Sequence, residues 1–294
     1  MERVAPMIID RIVKFKIHIN IILSIIIVVG FIFISTGCSS IFTNKQRLNN
    51  IEVYFIDVGQ AEATLLKGSD FTVLVDAGDY RNDDVVTFLN DLGIEQIDLL
   101  VGTHPHSDHI GQFDKILYNF SVKEVWMSGD LHTSKTFEKA IDAIYESKAN
   151  YYEPIAGESF SYGSLEIEVL NPEKLNGDFH EGCIALKAIY NDFSIIFTGD
   201  IETKTENKII DANRSIKSNI LHLGHHGSRT SSGERFLENV APEIAIYSAG
   251  IDNDYGHPHS DIIDRLEGMQ IPVYGTDEYG TIKIISDGHQ YWLE

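Results

Sequence analysis

Three histidines and an aspartate crowd one stretch of this chain, Thr103-His104-Pro105-His106-Ser107-Asp108-His109-Ile110-Gly111. The stretch directly follows the apolar run Leu99-Leu100-Val101, and residues 110–120 after it have helical periodicity. A loop at the end of a buried strand can aim several side chains at one point. His104 and His106 alternate with residues pointing elsewhere, so both can grip one ion. Asp108 and His109 can then grip a second nearby. Imidazole and carboxylate suit zinc, iron or manganese, and with only 2 cysteines in the chain thiolate is nearly absent.

Strand and helix patterns alternate around this loop. Residues 53–56, 63–66, 71–75 and 98–102 read as strands, with Gly68-Ser69-Asp70 a hairpin turn. Residues 83–92, 134–147, 202–212, 232–240 and 260–268 read as helices, the fourth capped by Ser232. Short strands fill 155–197, and others follow at 220–223, 244–247, 271–274 and 281–285. Two sheets packed face to face with helices outside satisfy this order, and so does a doubly wound parallel sheet. The pattern does not choose between them.

More candidate ligands stand at other strand ends. Phe197-Thr198-Gly199-Asp200 closes an apolar strand, and a carboxylate there can bridge two cations. His222, His225 and His226 lie in Leu-His-Leu-Gly-His-His-Gly-Ser. His222 falls within a strand and reads as core. Adjacent extended residues point oppositely, so His225, the first after the strand, is expected to bind the second ion. His226, with Ser228, is then left for the substrate. His180 precedes a strand, and His257 and His259 lie in Tyr-Gly-His-Pro-His.

The N-terminus reads as an export signal. Arg11, Lys14 and Lys16 precede an uncharged run from Ile21 to Ile34, too short for a bilayer span of about 20 residues. Ser35, Thr36 and Gly37 then abut Cys38, a pattern that resembles a bacterial lipoprotein signal. The expected organisation is a signal peptide over 1–37, a tether over 38–50 beginning at a lipidated Cys38, and a domain over 51–294. The remaining chain would then lie outside the cytoplasmic membrane, held to it by lipid. The net charge of −21 argues against non-specific nucleic-acid binding through a basic surface, although metal can meet a phosphate where such a surface cannot.

Together these motifs identify a resemblance. Asp57-Val58-Gly59-Gln60-Ala61-Glu62-Ala63, Val75-Asp76-Ala77-Gly78, the 103–111 loop, Phe197 to Asp200, His225-His226-Gly227-Ser228 and Tyr255 to His259 resemble a metallo-β-lactamase-fold hydrolase. Within that superfamily the chain resembles the extracytoplasmic hydrolase domain of ComEC competence proteins. The resemblance implies a four-layer αββα sandwich of the α/β (α+β) class, with two divalent ions (zinc or manganese) between the sheet edges. It makes Asp76 the residue that orients the histidine loop, and His180 a possible third ligand upstream of the Thr-Gly-Asp strand. Asp57, Gln60, Glu62 and His259 would face the cleft, and His257 would contact phosphate or donate a proton. Where the family carries Asn-Ser, Gly182-Cys183 stands here; Cys183 reads as a small buried residue.

Three functions follow. The first is a phosphodiesterase or DNA nuclease in which Asp108 holds the second ion and the attacking water, with Arg229 and Lys217 a thin basic lining. The second is a hydrolase of a small ester, such as a phosphorylcholine ester or a lactone. The third is a non-catalytic accessory lipoprotein.

Overall fold

Alternation along each strand decides the layering. In a computed structural model, which describes residues 50–294 except Asn213, one sheet carries eight strands. In spatial order these are β15 (Tyr291–Leu293), β14 (Ile282–Ser286), β1 (Ile51–Phe55), β2 (Thr64–Lys67), β3 (Thr72–Val75), β4 (Gln96–Gly102), β5 (Ser121–Met127) and β6 (Asn150–Tyr152). The other carries β13 (Val273–Gly275), β12 (Ile244–Tyr247), β11 (Ile220–His222), β10 (Phe193–Phe197), β9 (Ala185–Tyr190), β8 (Leu165–Asn171) and β7 (Ser159–Tyr162). Ile51, Val53 and Phe55 of β1 meet Phe193, Ile195 and Phe197 of β10 in a core between the sheets. The intervening Tyr54 and Ile196 face outward into two separate helix-covered layers. Each fully buried Phe or Leu contributes about 1.5–3 kcal/mol.

Helices α1 (Asp84–Asp91), α2 (Phe113–Asn119) and α3 (Lys135–Ser147) cover the first sheet through Leu89, Phe113 and Phe137. After the single turn α4 (Phe179–Gly182), helices α5 (Thr203–Asp211), α6 (Glu234–Val240) and α7 (Ser260–Gly268) cover the second sheet through Ile209, Leu237 and Ile262. A last turn, α8 (Thr276–Tyr279), precedes β14. The architecture is the αββα sandwich that the resemblance implied. The expected signal peptide, Cys38 and the tether up to Asn49 lie outside the described residues. Among the described residues no helix is long and apolar enough to cross a membrane.

The sheets place the ligand loops. β3 runs parallel to β4, and β10, β11 and β12 run parallel to one another. Loops leaving the carboxyl ends of parallel strands are where such sheets bind ligands. Asp76 follows β3, Thr103 follows β4, Asp200 follows β10, and the 3₁₀ turn Gly224–Gly227 follows β11.

Two expectations change. The helix expected from residue 110 begins at Phe113, because Gly111 and Gln112 donate their N–H groups to Gly78 and Ala77 carbonyls at 2.9 and 3.1 Å. Ser232 does not cap the following helix, which begins at Glu234 without a side-chain cap. Instead Glu206 of α5 reaches across and accepts the N–H groups of Ser232 and Gly233 at 2.5 and 2.9 Å. Glu206 is buried, so no water replaces it. Glu206→Ala should therefore lower stability by about 1–3 kcal/mol by orphaning two backbone donors. Urea unfolding indistinguishable from wild type would refute this account of the α6 terminus.

Candidate metal centre

Asp76 leaves β3 with φ of 60°, a left-handed conformation that aspartate tolerates better than most residues. This bend turns its buried carboxylate toward the 103–109 loop. Oδ1 accepts the Thr103 N–H at 2.8 Å, and Oδ2 accepts the Thr103 hydroxyl at 2.8 Å. Oδ2 also lies 2.7 Å from His109 Nδ1. Thr103 Oγ1, its own proton committed to Asp76, is left to accept from His104 Nδ1 at 3.3 Å. Both rings therefore keep a proton on Nδ1 and present Nε2 forward.

Two sets of ligand atoms form in front of these rings. His104 Nε2 lies 2.9 Å from His106 Nδ1 and 3.4 Å from Asp200 Oδ2. Asp108 Oδ2 lies 3.9 Å from His109 Nε2 and 3.4 Å from His226 Nε2. Asp200 stands between the sets, because its other oxygen is 3.4 Å from His109 Nε2. Gly199 permits this turn, with φ of 47° and no room for a Cβ, which would sit 2.5 Å from Cys183 Sγ. That sulfur accepts the Asp200 N–H at 3.3 Å, and burial pushes the thiol pKa up, so Cys183 backs the site as a neutral group.

Four buried atoms here lack a hydrogen-bond partner: Glu62 Oε1, His109 Nε2, Asp200 Oδ1 and His226 Nε2. Orphaned buried polar atoms are costly. Carboxylate oxygens and imidazole nitrogens converging without donors between them fit divalent cations. The three ligand atoms within each set, His104–His106–Asp200 and Asp108–His109–His226, lie within 4.8 Å of one another.

The backbone of the adjacent histidines differs from the extended one expected. They are not extended: both lie in the left-handed region, His225 at φ 54° and His226 at φ 57°. His226, not His225, meets Asp108. Its Nδ1 is 2.9 Å from the Ser248 carbonyl, which fixes its tautomer as Asp76 fixes that of His109. His225 instead groups with His180 and Glu202, its Nε2 3.8 Å from Asp200. His180 stands beside the His104–His106 set, 6.2 and 5.6 Å from those rings.

A cavity of about 320 Å³ opens over both sets. Gln60, Tyr255 and His257 line one part of it, and His132 and Ser134 another. Gln60 Oε1 accepts the Gly250 N–H at 3.1 Å, so its amide nitrogen is the end facing His257 Nδ1 at 3.4 Å. The His257 proton therefore sits on Nε2. Glu62 is buried behind the ligands, 3.7 Å from both His222 and His226. His222 is buried as expected, yet borders the site rather than a purely apolar core.

Other expected residues stay off the cavity wall. Asp57 is exposed and accepts the Gly59 N–H in a turn at 3.2 Å. Ser228 is buried against Thr230, and His259 accepts the Arg229 N–H at 3.1 Å. Arg229 is itself 3.9 Å from Asp261, and Lys217 lines a different cavity with Asn219 and Glu243. The expected basic lining from these two residues is therefore not found. Ser107 and Tyr255 lie inside the histidine motifs without a role assigned from sequence, and His132 is a lone residue that no spacing marks.

Opposed charges set the electrostatics. Burial disfavours charge on His226, but Asp108, Asp200 and Glu62 outweigh it and push the ring up to about 9. His109 is likewise raised, against burial, by Asp200, Asp76 and Asp108. Burial lowers His106 and His257 to about 4. Burial also raises Glu62 to about 8, despite His226 and His109.

Fold and site together define a metallo-β-lactamase-fold hydrolase. Residues 56–251 match the metallo-beta-lactamase superfamily, and the chain belongs to it. It is similar to ComE operon protein 3 of Bacillus subtilis (strain 168), 31% identical over 79% of this chain and 32% of that protein. It is also similar to competence protein ComA of Neisseria gonorrhoeae, 29% identical over 80% of this chain and 32% of that protein. The chain thus spans about a third of the length of these curated relatives. Among solved structures, the metallo-beta-lactamase fold protein YhfI from Bacillus subtilis shares the fold, with a TM-score of 0.53 at 11% identity over 82% of this chain and 99% of that one.

The raised His109 and His226 values carry a sign. Both rings favour the protonated form before a cation binds, and a cation needs them neutral at Nε2. Apparent affinity for zinc or manganese should rise with pH until His226 has titrated, near 9, and fall below it. Calorimetry in buffers of different ionisation enthalpy should show roughly one to two protons released per protein near neutral pH. Zero release would contradict the ligand assignment.

Proposed function

We propose that this chain is a two-metal phosphodiesterase acting on a nucleic-acid strand. The observation that carries the reading is Asp200, which offers one oxygen to each of two histidine-rich ligand sets. The names of the relatives, a competence protein and a ComE operon protein, support DNA as the strand. Divalent ions in the two sets would lower the pKa of a water and neutralise phosphoryl oxygens. His104, His106 and Asp200 would hold one ion and Asp108, His109 and His226 the other, with His180 and His225 flanking the first.

The chain's own residues supply the remaining steps. Asp108 is partly exposed to the cavity, and its carboxyl is held below the usual range by His109 and His226 against the effect of burial. It stays an acceptor at neutral pH and orients the attacking water. His257 is neutral because burial lowers it to about 4, and its proton sits on Nε2. Through that N–H it can hydrogen-bond the departing oxygen or a phosphoryl oxygen, an alkoxide taking its proton from solvent. The stacked Tyr255 ring, 5.7 Å away and inclined by 19°, supports its orientation.

The domain is proposed to work outside the cytoplasmic membrane, tethered through a lipid on Cys38. Mass spectrometry of the native N-terminus tests that placement, and an intact Met1 would end it.

Metal-loaded protein should cleave single-stranded DNA and a chromogenic phosphodiester and leave a lactone untouched; the reverse selectivity would sink the reading. Asp108→Asn should lower the phosphodiesterase rate at least about a hundredfold with the melting temperature little changed. His257→Ala should slow an alkoxide leaving group far more than a phenolate that departs without a proton. Equal losses on both leaving groups would remove His257 from hydrogen bonding to the departing oxygen.

A further inference from the structure

Among the described residues, the cavity over the metal centre has no lysine or arginine in its lining. A second cavity, of about 450 Å³, adjoins it through Ser107 and Ser134, which line both. This one is basic: Lys115, Lys135 and Lys139 line it, with Asp114 the one carboxylate. In a chain of net charge −21, three lysines on one wall are a local reversal of sign.

The lysines differ in state. Lys115 is half-buried and committed, 2.6 Å from Asp83 and bonded to the Tyr80 and Asn82 carbonyls, so it holds the wall. Lys135 and Lys139 are exposed, and neither has a carboxylate or other partner among the described residues. Standing four residues apart on α3, they share a helix face. Tyr80 adds a half-exposed ring to the same cavity. Paired cations beside an aromatic face are the chemistry that holds a single-stranded polyanion.

We propose that this groove is a substrate subsite that binds phosphates flanking the scissile one, with Lys135 and Lys139 as the phosphate-binding residues. The inference rests on the phosphodiesterase reading and narrows it. The substrate class is an extended single-stranded polynucleotide rather than a small phosphodiester, because only a chain of several nucleotides can span both adjoining cavities.

Fluorescence anisotropy of a labelled single-stranded oligodeoxynucleotide tests this, using the full chain loaded with manganese and carrying Asp108→Asn to prevent turnover. Adding Lys135→Glu and Lys139→Glu should weaken binding at least about tenfold and reduce the slope of log affinity against log salt by roughly 1.4, about 0.7 per lost phosphate contact. Lys217→Glu, in its separate cavity, should do neither. In the Asp108-intact protein, the lysine pair should raise KM for DNA while leaving hydrolysis of a small chromogenic phosphodiester and the metal content unchanged. Unaltered DNA affinity in the double reversal would overturn the groove, as would cleavage of the small ester without any oligonucleotide binding. Groove-dependent binding with no hydrolysis of either substrate would instead overturn the phosphodiesterase reading and leave the groove standing.

Discussion

Asp76 hydrogen-bonds to one loop three times, and the metal centre hangs from those bonds. The backbone bond fixes where the loop leaves β4. The bond from the Thr103 hydroxyl frees that oxygen to hold His104, and the bond to His109 Nδ1 aims the other ring. Charge-assisted bonds of this kind contribute about 1.5–3 kcal/mol each. Their larger effect is on geometry, since losing a group that orients a ligand typically costs about 10–100-fold in metal affinity. Ser248 repeats the device from the second sheet by fixing His226 through a carbonyl.

The same cluster is unfavourable as a piece of folded protein. Buried Glu62 stands within reach of both Asp76 and Asp200, and four buried atoms here, Glu62 Oε1 and one each of His109, Asp200 and His226, have no hydrogen-bond partner. Burial, with Asp200 and Asp76 adding to it, drives Glu62 toward the protonated form against His226 and His109. The left-handed His225 and His226 add backbone strain of order 1–3 kcal/mol each. A core built for stability would replace these groups with apolar ones. Their arrangement is intelligible if bound cations supply the missing charge, so the cost falls where the chemistry is needed.

Much of this was legible in the sequence because it lies in short stretches. The 104–109 cluster, Asp200 at a strand end and the paired histidines each announce themselves by spacing. Which of His225 and His226 faces Asp108 was not legible, since the inference assumed extended backbone and the chain instead makes a left-handed turn. Ser232 looked like a cap because the competing acceptor, Glu206, lies on another helix. Lys217 looked close to the site because it precedes β11, but its strand end faces another cavity. The choice between two layers of sheet and one doubly wound sheet came from resemblance; alternation gives which residues face in, not which sheet they meet.

If this acidic chain cuts a polyanion, as proposed, it has to solve attraction and repulsion separately. Among the described residues the cavity over the metal centre offers only carboxylates, hydroxyls, amides and imidazoles, so on the proposed reading every positive charge there beyond protonated histidine would be a cation held by those groups. Farther along, cations would be too weakly held to help, and in the proposed groove lysines would take over. Lys135 and Lys139 can do so because α3 presents them away from the buried face that carries Phe137 and Ala140. At an ionic strength near 0.15 M, charge is screened beyond about 8 Å, so the distant acidic surface opposes a strand in the groove far less than the net charge suggests. A net charge of −21 therefore does not decide against a nucleic-acid substrate; the sign of the charge within a Debye length of the bound backbone does.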